Sequence, residues 1–256
     1  RRRPPRATLF PHTTLFRSTL RPALAVVTKT SRLGTACMAS FPLRDPIVLA
    51  AQWGALDCLA SGRTVLTACI GGGPAKGNIA GSFDNEYSAM QIDPLDRIAR
   101  MEEGIEVLRT LWTQDPASFD GHFFRFNDIA VRPPPIQAPC PPIWIANNPW
   151  VFGTTKSGPS KKQVDRVARL ADGWMTVGST PEQFDTTWRA ISNAAQHYGR
   201  DPASLEKSSY FNVNLNDNPA AAYTEAKRFL DEYYSSDWPE WKVKIWTACG
   251  TPDVCA

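Results

Sequence analysis

The chain has 256 residues, with 28 Lys and Arg against 25 Asp and Glu, for a formal net charge of +3. Five of those arginines fall in residues 1–18, which hold no acidic side chain, so the other 23 basic and 25 acidic groups carry −2. The basic excess therefore does not point to a nucleic-acid partner, and no apolar run approaches the ~18 residues of a membrane span. The opening segment RRRPPRA–TLFPHTTLFRS shows neither a helical nor a strand period. Pro11, His12, Thr13, Thr14 and Arg17 break any secretory apolar stretch.

From residue 19 onward, strand-like and helix-like segments alternate. RLGTACM (32–38) is a short apolar run ending in small residues. A helix over 45–62 is signalled by Asp45 as cap, Pro46 at its first position and Gly62 as its stop. RTVLTACI (63–70) is a second strand, closed by Gly71, Gly72 and Gly73, and a polar loop runs from there to about Asp93. Residues 94–114 form an amphipathic helix with Ile98, Met101, Ile105, Leu108 and Trp112 on one face. Phe119–Phe123 marks a tight hairpin, and RPPPIQAPCPP is an extended lead-in. Then come a strand IWIA (143–146), a helix (161–171), a strand GWMTV (173–177) and a helix (180–199) capped by Thr180. A strand YFNVNL (210–215) and a helix (219–235) follow, and KVKIWTACGTPDVCA ends where another unit should begin.

Such alternation predicts an α/β fold with a parallel sheet and helical crossovers, either an open doubly wound sheet or a closed (β/α) barrel. The Gly71–Gly73 run is trailed by a long loop rather than a helix, which argues against a dinucleotide-binding sheet. Cys37, Cys58, Cys69, Cys140, Cys249 and Cys255 form no CxxC pair, and beyond the leader only His122 and His197 remain. No zinc-like cluster can be assembled from that spacing, and the thiols read as reduced residues of a cytoplasmic protein.

Two resemblances bear on these readings. Thr8–Ser18 is similar to the translation of a sequencing-library adapter, TLFPYTTLFRS, with only His12 in place of Tyr. Residues 1–18 are accordingly expected to be an artefactual or disordered leader, with an organelle transit peptide as the biological alternative, and residues 19–256 to be the domain. The second resemblance rests on SRLGTACMASFPLRDPIVLAAQWGALDCLASGR, DRIARMEEGIEVLRTLWT, SFDGHFF, PPIWIANNP, RVARLADGWMT, GRDP and ACGTP, in that order. Together they resemble the luciferase-like monooxygenase family, (β/α)8 TIM barrels that use FMN or the deazaflavin coenzyme F420.

That resemblance implies an incomplete barrel, with strands three to seven present and strands one, two and eight missing. It implies a flavin-dependent oxidoreductase, reduced FMN and oxygen acting on a small organic substrate, or alternatively a deazaflavin-dependent hydride-transfer enzyme. An inactive truncated fragment from a chimeric reading frame is the expectation of another class, since missing strands would expose half a core and leave an aggregated or molten chain. Active sites of such barrels lie at the C-terminal strand ends. The family's bulge falls on Ala36, Cys37 and Met38, with a non-proline cis peptide between Ala36 and Cys37.

Cys69, Gly71, Gly72 and Gly73 would follow the next strand, where glycine lets a backbone approach a ring or phosphate closely. Ile70 and Gly73 stand where some relatives carry an arginine and a glutamate, so neither specialised chemistry carries over. The amides of Asn147 and Asn148 match a phosphate-contacting loop, and Gly178 opens an anion cradle before a helix. Trp53, Trp112, Trp188 and Tyr223 read as core, and Trp174 is placed to pack on a substrate. The resemblance names no catalytic residue here and leaves substrate, cofactor choice and oligomeric state open, a homodimeric parent included.

Overall fold

The computed structural model describes residues 14–71, 84–150, 158–234 and 236–255. Two compact units divide the chain, Arg1–Ile145 and Ala146–Ala256.

The first unit runs α1 (Thr14–Val27), β1 (Leu33–Gly34), a 3₁₀ turn (Phe41–Leu43), α2 (Pro46–Leu59), β2 (Thr64–Ala68) and α3 (Asp84–Ala89). A second 3₁₀ turn (Pro94–Asp96) feeds α4 (Arg97–Thr113), followed by the hairpin β3 (Ala117–Asp120) and β4 (Arg125–Ile129), then β5 (Ile143–Ala146). β1 pairs with β2 in parallel, Leu33 opposite Thr64, and β2 pairs with β5 in parallel, Leu66 opposite Ile143. All five residues of β2 are buried, as expected for a strand flanked on both edges and covered on both faces.

Local chemistry sets the boundaries. The Asp45 carboxylate accepts from the Ile47 and Val48 amides, and Pro46 sits where its missing N–H costs nothing. The predicted face of α4 is buried at Met101, Ile105, Leu108 and Trp112, with Ile98 only half-buried. The Trp112 indole donates to the Ala50 carbonyl of α2 at 3.1 Å, joining the two helices. From the same helix, Glu103 accepts the backbone N–H groups of His122, Phe123 and Phe124 and so fastens the tip of the β3–β4 hairpin.

Asp57, fully buried on α2, holds three segments together. Its Oδ1 accepts from Thr64 Oγ1 at 2.6 Å and from Gln137 Nε2 at 2.7 Å, and its Oδ2 accepts the Ile136 and Gln137 amides at 2.9 and 3.0 Å. The proline-rich lead-in to β5 is thereby tied to the start of β2. Gly54, one turn earlier, lets this lead-in come close: a Cβ there would lie 2.5 Å from the Pro133 carbonyl oxygen.

The second unit contains α5 (Lys161–Leu170), β6 (Gly173–Val177), α6 (Pro181–His197), a 3₁₀ turn (Pro202–Ser204), β7 (Glu206–Tyr210) and β8 (Asn212–Leu215). After these come α7 (Pro219–Tyr234), α8 (Glu240–Trp246), β9 (Thr247–Gly250) and α9 (Pro252–Cys255). β6 and β7 pair in parallel, as do β8 and β9. Leu230, Trp238, Val243 and Trp246 form a core cluster in which the Lys242 ammonium stands 3.7 Å from the Trp238 ring centre. Burial pushes that ammonium below the usual lysine range.

Several expectations are corrected. The run 32–38 is not one strand: only Leu33–Gly34 is, with Met38 returning to bridge Ala68. The strand expected over 210–215 splits at Phe211, β7 pairing with β6 and β8 with β9. Asp84–Ala89 is helical within the segment read as loop, and the tail folds as helix, strand and helix. Separately from these corrections, α1 begins at Thr14, within the expected leader, and Arg63 binds the Ala25 carbonyl in its last turn and the Thr28 carbonyl just after it. The expectations for Phe10 and Phe16 lie outside the described side chains. Among the described residues no helix is long and apolar enough to cross a membrane.

Two substitutions test this packing. Asp57→Ala leaves the Ile136 and Gln137 amides without their acceptor and is expected to cost about 3 kcal/mol in urea unfolding. A loss below about 0.5 kcal/mol would show that water replaces the carboxylate. Gly54→Ala, which in an open helix would stabilise by about 1 kcal/mol, is expected instead to destabilise by about 1–3 kcal/mol because the new methyl meets backbone. An unchanged or raised unfolding midpoint would contradict the close approach.

Candidate functional site

In the first unit, the regular ladder between β1 and β2 stops at Gly34 and Val65 and resumes at Met38 and Ala68. One strand spends four residue steps where the other spends three, so a bulge falls on residues 35–37. The Thr35 hydroxyl fills the break, accepting the Thr67 amide at 2.8 Å and donating to the Thr67 carbonyl at 3.2 Å. The Met38 amide then donates to the same carbonyl at 2.8 Å. The expected bulge is present, but the expected cis bond is not. The cis peptides among the described residues are Asp115–Pro116, Arg132–Pro133 and Ala138–Pro139, and the Ala36–Cys37 link is trans. A trans link is favoured by about 3 kcal/mol at a non-proline residue, and Thr35 absorbs the irregularity without a flip.

Ala36 is exposed and Cys37 half-buried, whereas the Met38 side chain is 1% exposed and belongs to the core. Alternation along extended backbone puts Cys37 and Cys69 on the face opposite Met38 and Ala68. There the two thiols touch, and the Gly71 amide donates to the Cys69 sulfur. The hydrogen bond from Cys37 and that from Gly71 hold the Cys69 thiol below the usual cysteine range, against burial, which pushes it up. Gly71 has φ of 67°, a left-handed conformation that favours glycine. Gly72 and Gly73 lie outside the described residues.

Sequence reasoning missed the groups that surround this edge. Tyr87 on α3 is buried against Leu43 and Ala39, and its hydroxyl donates to the Ile70 carbonyl at 3.4 Å. Burial pushes its phenol up to about 12, with Arg97 and Arg100 pulling the other way. Arg97 donates to the Pro94 carbonyl at 2.7 Å while its Nε is buried without a partner. Arg100 donates to the Pro42 carbonyl and lies over the Phe123 and Phe124 rings at 5.3 and 4.9 Å. No local pattern announces these residues, because tertiary packing alone brings them to the strand end.

In the second unit the predicted residues are committed to the fold. Asn147 donates its amide to the Met175 carbonyl and its Nδ2 to Gln163, and its Oδ1 accepts from Trp174 Nε1 at 3.0 Å. Asn148 Oδ1 accepts from Thr176 Oγ1 and from the Val177 amide. Trp174 is fully buried on β6 and stacked on Phe184 of α6 at 5.0 Å, so it packs inside its unit and not on a substrate. Gly178 has φ of 64° and leads into α6, as expected for a turn.

The anion cradle at that helix is filled by its own side chains. Thr180 Oγ1 accepts the Gln183 amide, Gln183 Oε1 accepts the Thr180 amide, and Glu182 adds a carboxylate there. Its own amide and the Thr180 hydroxyl hold the Glu182 carboxyl below the usual range. A cleft of about 300 Å³ in this unit is lined by Asn212, Asn214, Glu225, Phe229 and Thr247 among others, and by none of the predicted site residues. Among the described residues no group of three or more His, Cys, Asp or Glu could hold a metal ion.

Comparison with known proteins agrees with the α/β fold. The chain is 30% identical over 141 residues to the FMNH(2)-dependent dimethylsulfone monooxygenase of Pseudomonas putida, covering 54% of this chain and 33% of that protein. It is 28% identical over 203 residues to the F420-dependent glucose-6-phosphate dehydrogenase of Nocardia farcinica, covering 78% and 54%. The chain thus spans about a third to a half of the curated relatives it matches.

Among solved structures, monooxygenase RslO1 from Streptomyces bottropensis superposes with a TM-score of 0.73 at 24% identity, over 93% of this chain and 69% of that one. An F420-dependent secondary alcohol dehydrogenase, in complex with an F420–acetone adduct, gives 0.73 at 18% identity over 91% and 70%. These two likenesses establish the fold. The family model of the luciferase-like monooxygenases matches residues 8–244, and the chain belongs to that family.

Proposed function

We propose that this chain acts as a flavin-dependent oxidoreductase in which reduced FMN and oxygen oxidise a small organic substrate. The observation that carries the proposal is the edge formed by the β1 bulge and the end of β2. Ala36, Cys37, Cys69 and Gly71 present there a surface of small, partly exposed groups, against which a planar ring can lie without displacing a large side chain. Met38 supports that edge from the core side.

The residues present fit the ring and do not fit a phosphate at α6. Its first-turn amides are already taken, and the Glu182 carboxylate would repel an anion. The proposal accordingly rests on the first unit. A bound flavin supplies the redox chemistry, while the protein supplies placement and exclusion of water. The chain's own residues then have defined tasks. Thr35 holds the bulge in shape, Gly71 permits close approach, and Arg97 and Arg100 set a positive field beside Tyr87. That field favours the electron-rich form of a reduced ring.

A deazaflavin reading is kept because the F420-dependent relative matches over more of this chain than the FMN-dependent one, 78% against 54%. Against it stands Gly73, where the carboxylate of some deazaflavin enzymes is missing. Fluorescence titration separates the two. FMN is expected to saturate at micromolar concentration, and binding of the deazaflavin alone would reverse the choice. Ala36→Trp, at an exposed position, is expected to weaken FMN about tenfold, or ~1.4 kcal/mol, with no change in the unfolding midpoint. Unaltered affinity in that variant would place the ring elsewhere.

A further inference from the structure

None of the six cysteines is in a disulfide, and the fold brings the Cys37 and Cys69 side chains into contact. They are 32 positions apart in sequence, on the ends of neighbouring strands, and both are partly exposed. We propose that Cys37 and Cys69 form a peroxide-oxidisable dithiol, with Cys69 the attacking thiol and Cys37 the resolving one.

Three features of the geometry support that assignment of roles. The Gly71 amide and the Cys37 thiol both donate toward the Cys69 sulfur, which favours its thiolate. The Tyr87 hydroxyl donates to the Ile70 carbonyl next to Cys69, and its phenol stays neutral through the physiological range, so it sets no second negative charge beside a Cys69 thiolate. Cys37 sits in the bulge and not in a ladder. A disulfide needs Cα atoms about 4.4–6.8 Å apart, and residues 35–37 are where the backbone can shift to meet it.

The chemistry balances with hydrogen peroxide as the oxidant. The Cys69 thiolate attacks one peroxide oxygen; an S–O bond forms, the O–O bond breaks, and the departing hydroxide takes up a proton to become water. Cys69 is then a sulfenic acid. The Cys37 sulfur attacks the Cys69 sulfur, an S–S bond forms, and the hydroxyl leaves as a second water with the proton from Cys37. Two thiols lose two electrons and one peroxide becomes two waters. This step is independent of the flavin proposal; if both hold, the disulfide lies on the ring-facing edge and reports its oxidation.

The test treats the whole folded chain with stoichiometric hydrogen peroxide, alkylates the remaining thiols and maps the peptides by mass spectrometry. The expected product is a Cys37–Cys69 disulfide that dithiothreitol reverses, while Cys58, Cys140, Cys249 and Cys255 stay alkylatable. In Cys37→Ser, one equivalent of peroxide is expected to leave Cys69 as a sulfenic acid, and a second equivalent to carry it to sulfinic acid without a crosslink. In Cys69→Ser, loss of the Cys37 thiol should slow by about tenfold.

A disulfide to any other cysteine, equal oxidation of all six, or an unreacted pair overturns the proposal. Should either variant fail to fold, phenylarsine oxide on the unmodified chain decides. That reagent bridges adjacent thiols, so it must protect Cys37 and Cys69 from alkylation together, and absence of protection refutes the pairing.

Discussion

The buried carboxylate of Asp57 is the interaction on which the first unit depends. Removing a charge from water costs several kcal/mol unless every lone pair is used, and here four donors converge on the two oxygens. Two of the donors are backbone amides that would otherwise be orphaned in the proline-rich lead-in to β5. Prolines cannot supply a ladder of hydrogen bonds, so RPPPIQAPCPP has no secondary structure of its own to fix its path. Asp57 fixes it. The lead-in then delivers Ile143 opposite Leu66, and β2 becomes a central, fully buried strand. With β2 anchored on that side, its other edge can tolerate the irregularity of β1.

That tolerated irregularity is where the candidate site forms. A regular continuation of β1 would bury residues 35–37 in a ladder, whereas the bulge frees one residue and turns Cys37 toward Cys69. Threonine at position 35 is the small device that makes this affordable, because its hydroxyl both accepts and donates where backbone groups fall out of register. The second unit meets the same requirement differently. Its asparagines and Thr180 are spent on closing strand ends and a helix end, which stabilises the turns and leaves little for an anion.

How much was legible in the sequence follows from how local each signal is. α2 and α6 announce themselves through Asp45–Pro46 and Thr180–Pro181, and both caps form as read. IWIA and GWMTV are legible because strands covered on both faces are apolar runs of strand length. β7, reading EKSSY, has no such run and is half exposed, so its pairing with β6 is invisible until the sheet exists. The bulge is a tertiary decision, and so is the arrival of Tyr87 beside Cys69, with Arg97 and Arg100 beside Tyr87. Resemblance supplied the bulge but the wrong peptide geometry at Ala36–Cys37. Strand alternation overreached at Trp174, whose buried indole donates to Asn147 and is not open to a substrate.

The central claim is that a flavin ring meets the chain at the ends of β1 and β2. Amide hydrogen exchange on the whole chain, with and without FMN, tests it most directly because it reads backbone sites without any substitution. The account predicts slowed exchange at residues 35–38 and 67–71, with the amides lining the Asn212–Phe229 cleft unchanged. Slowing confined to that cleft, or no slowing at either strand end under saturating FMN, would contradict it.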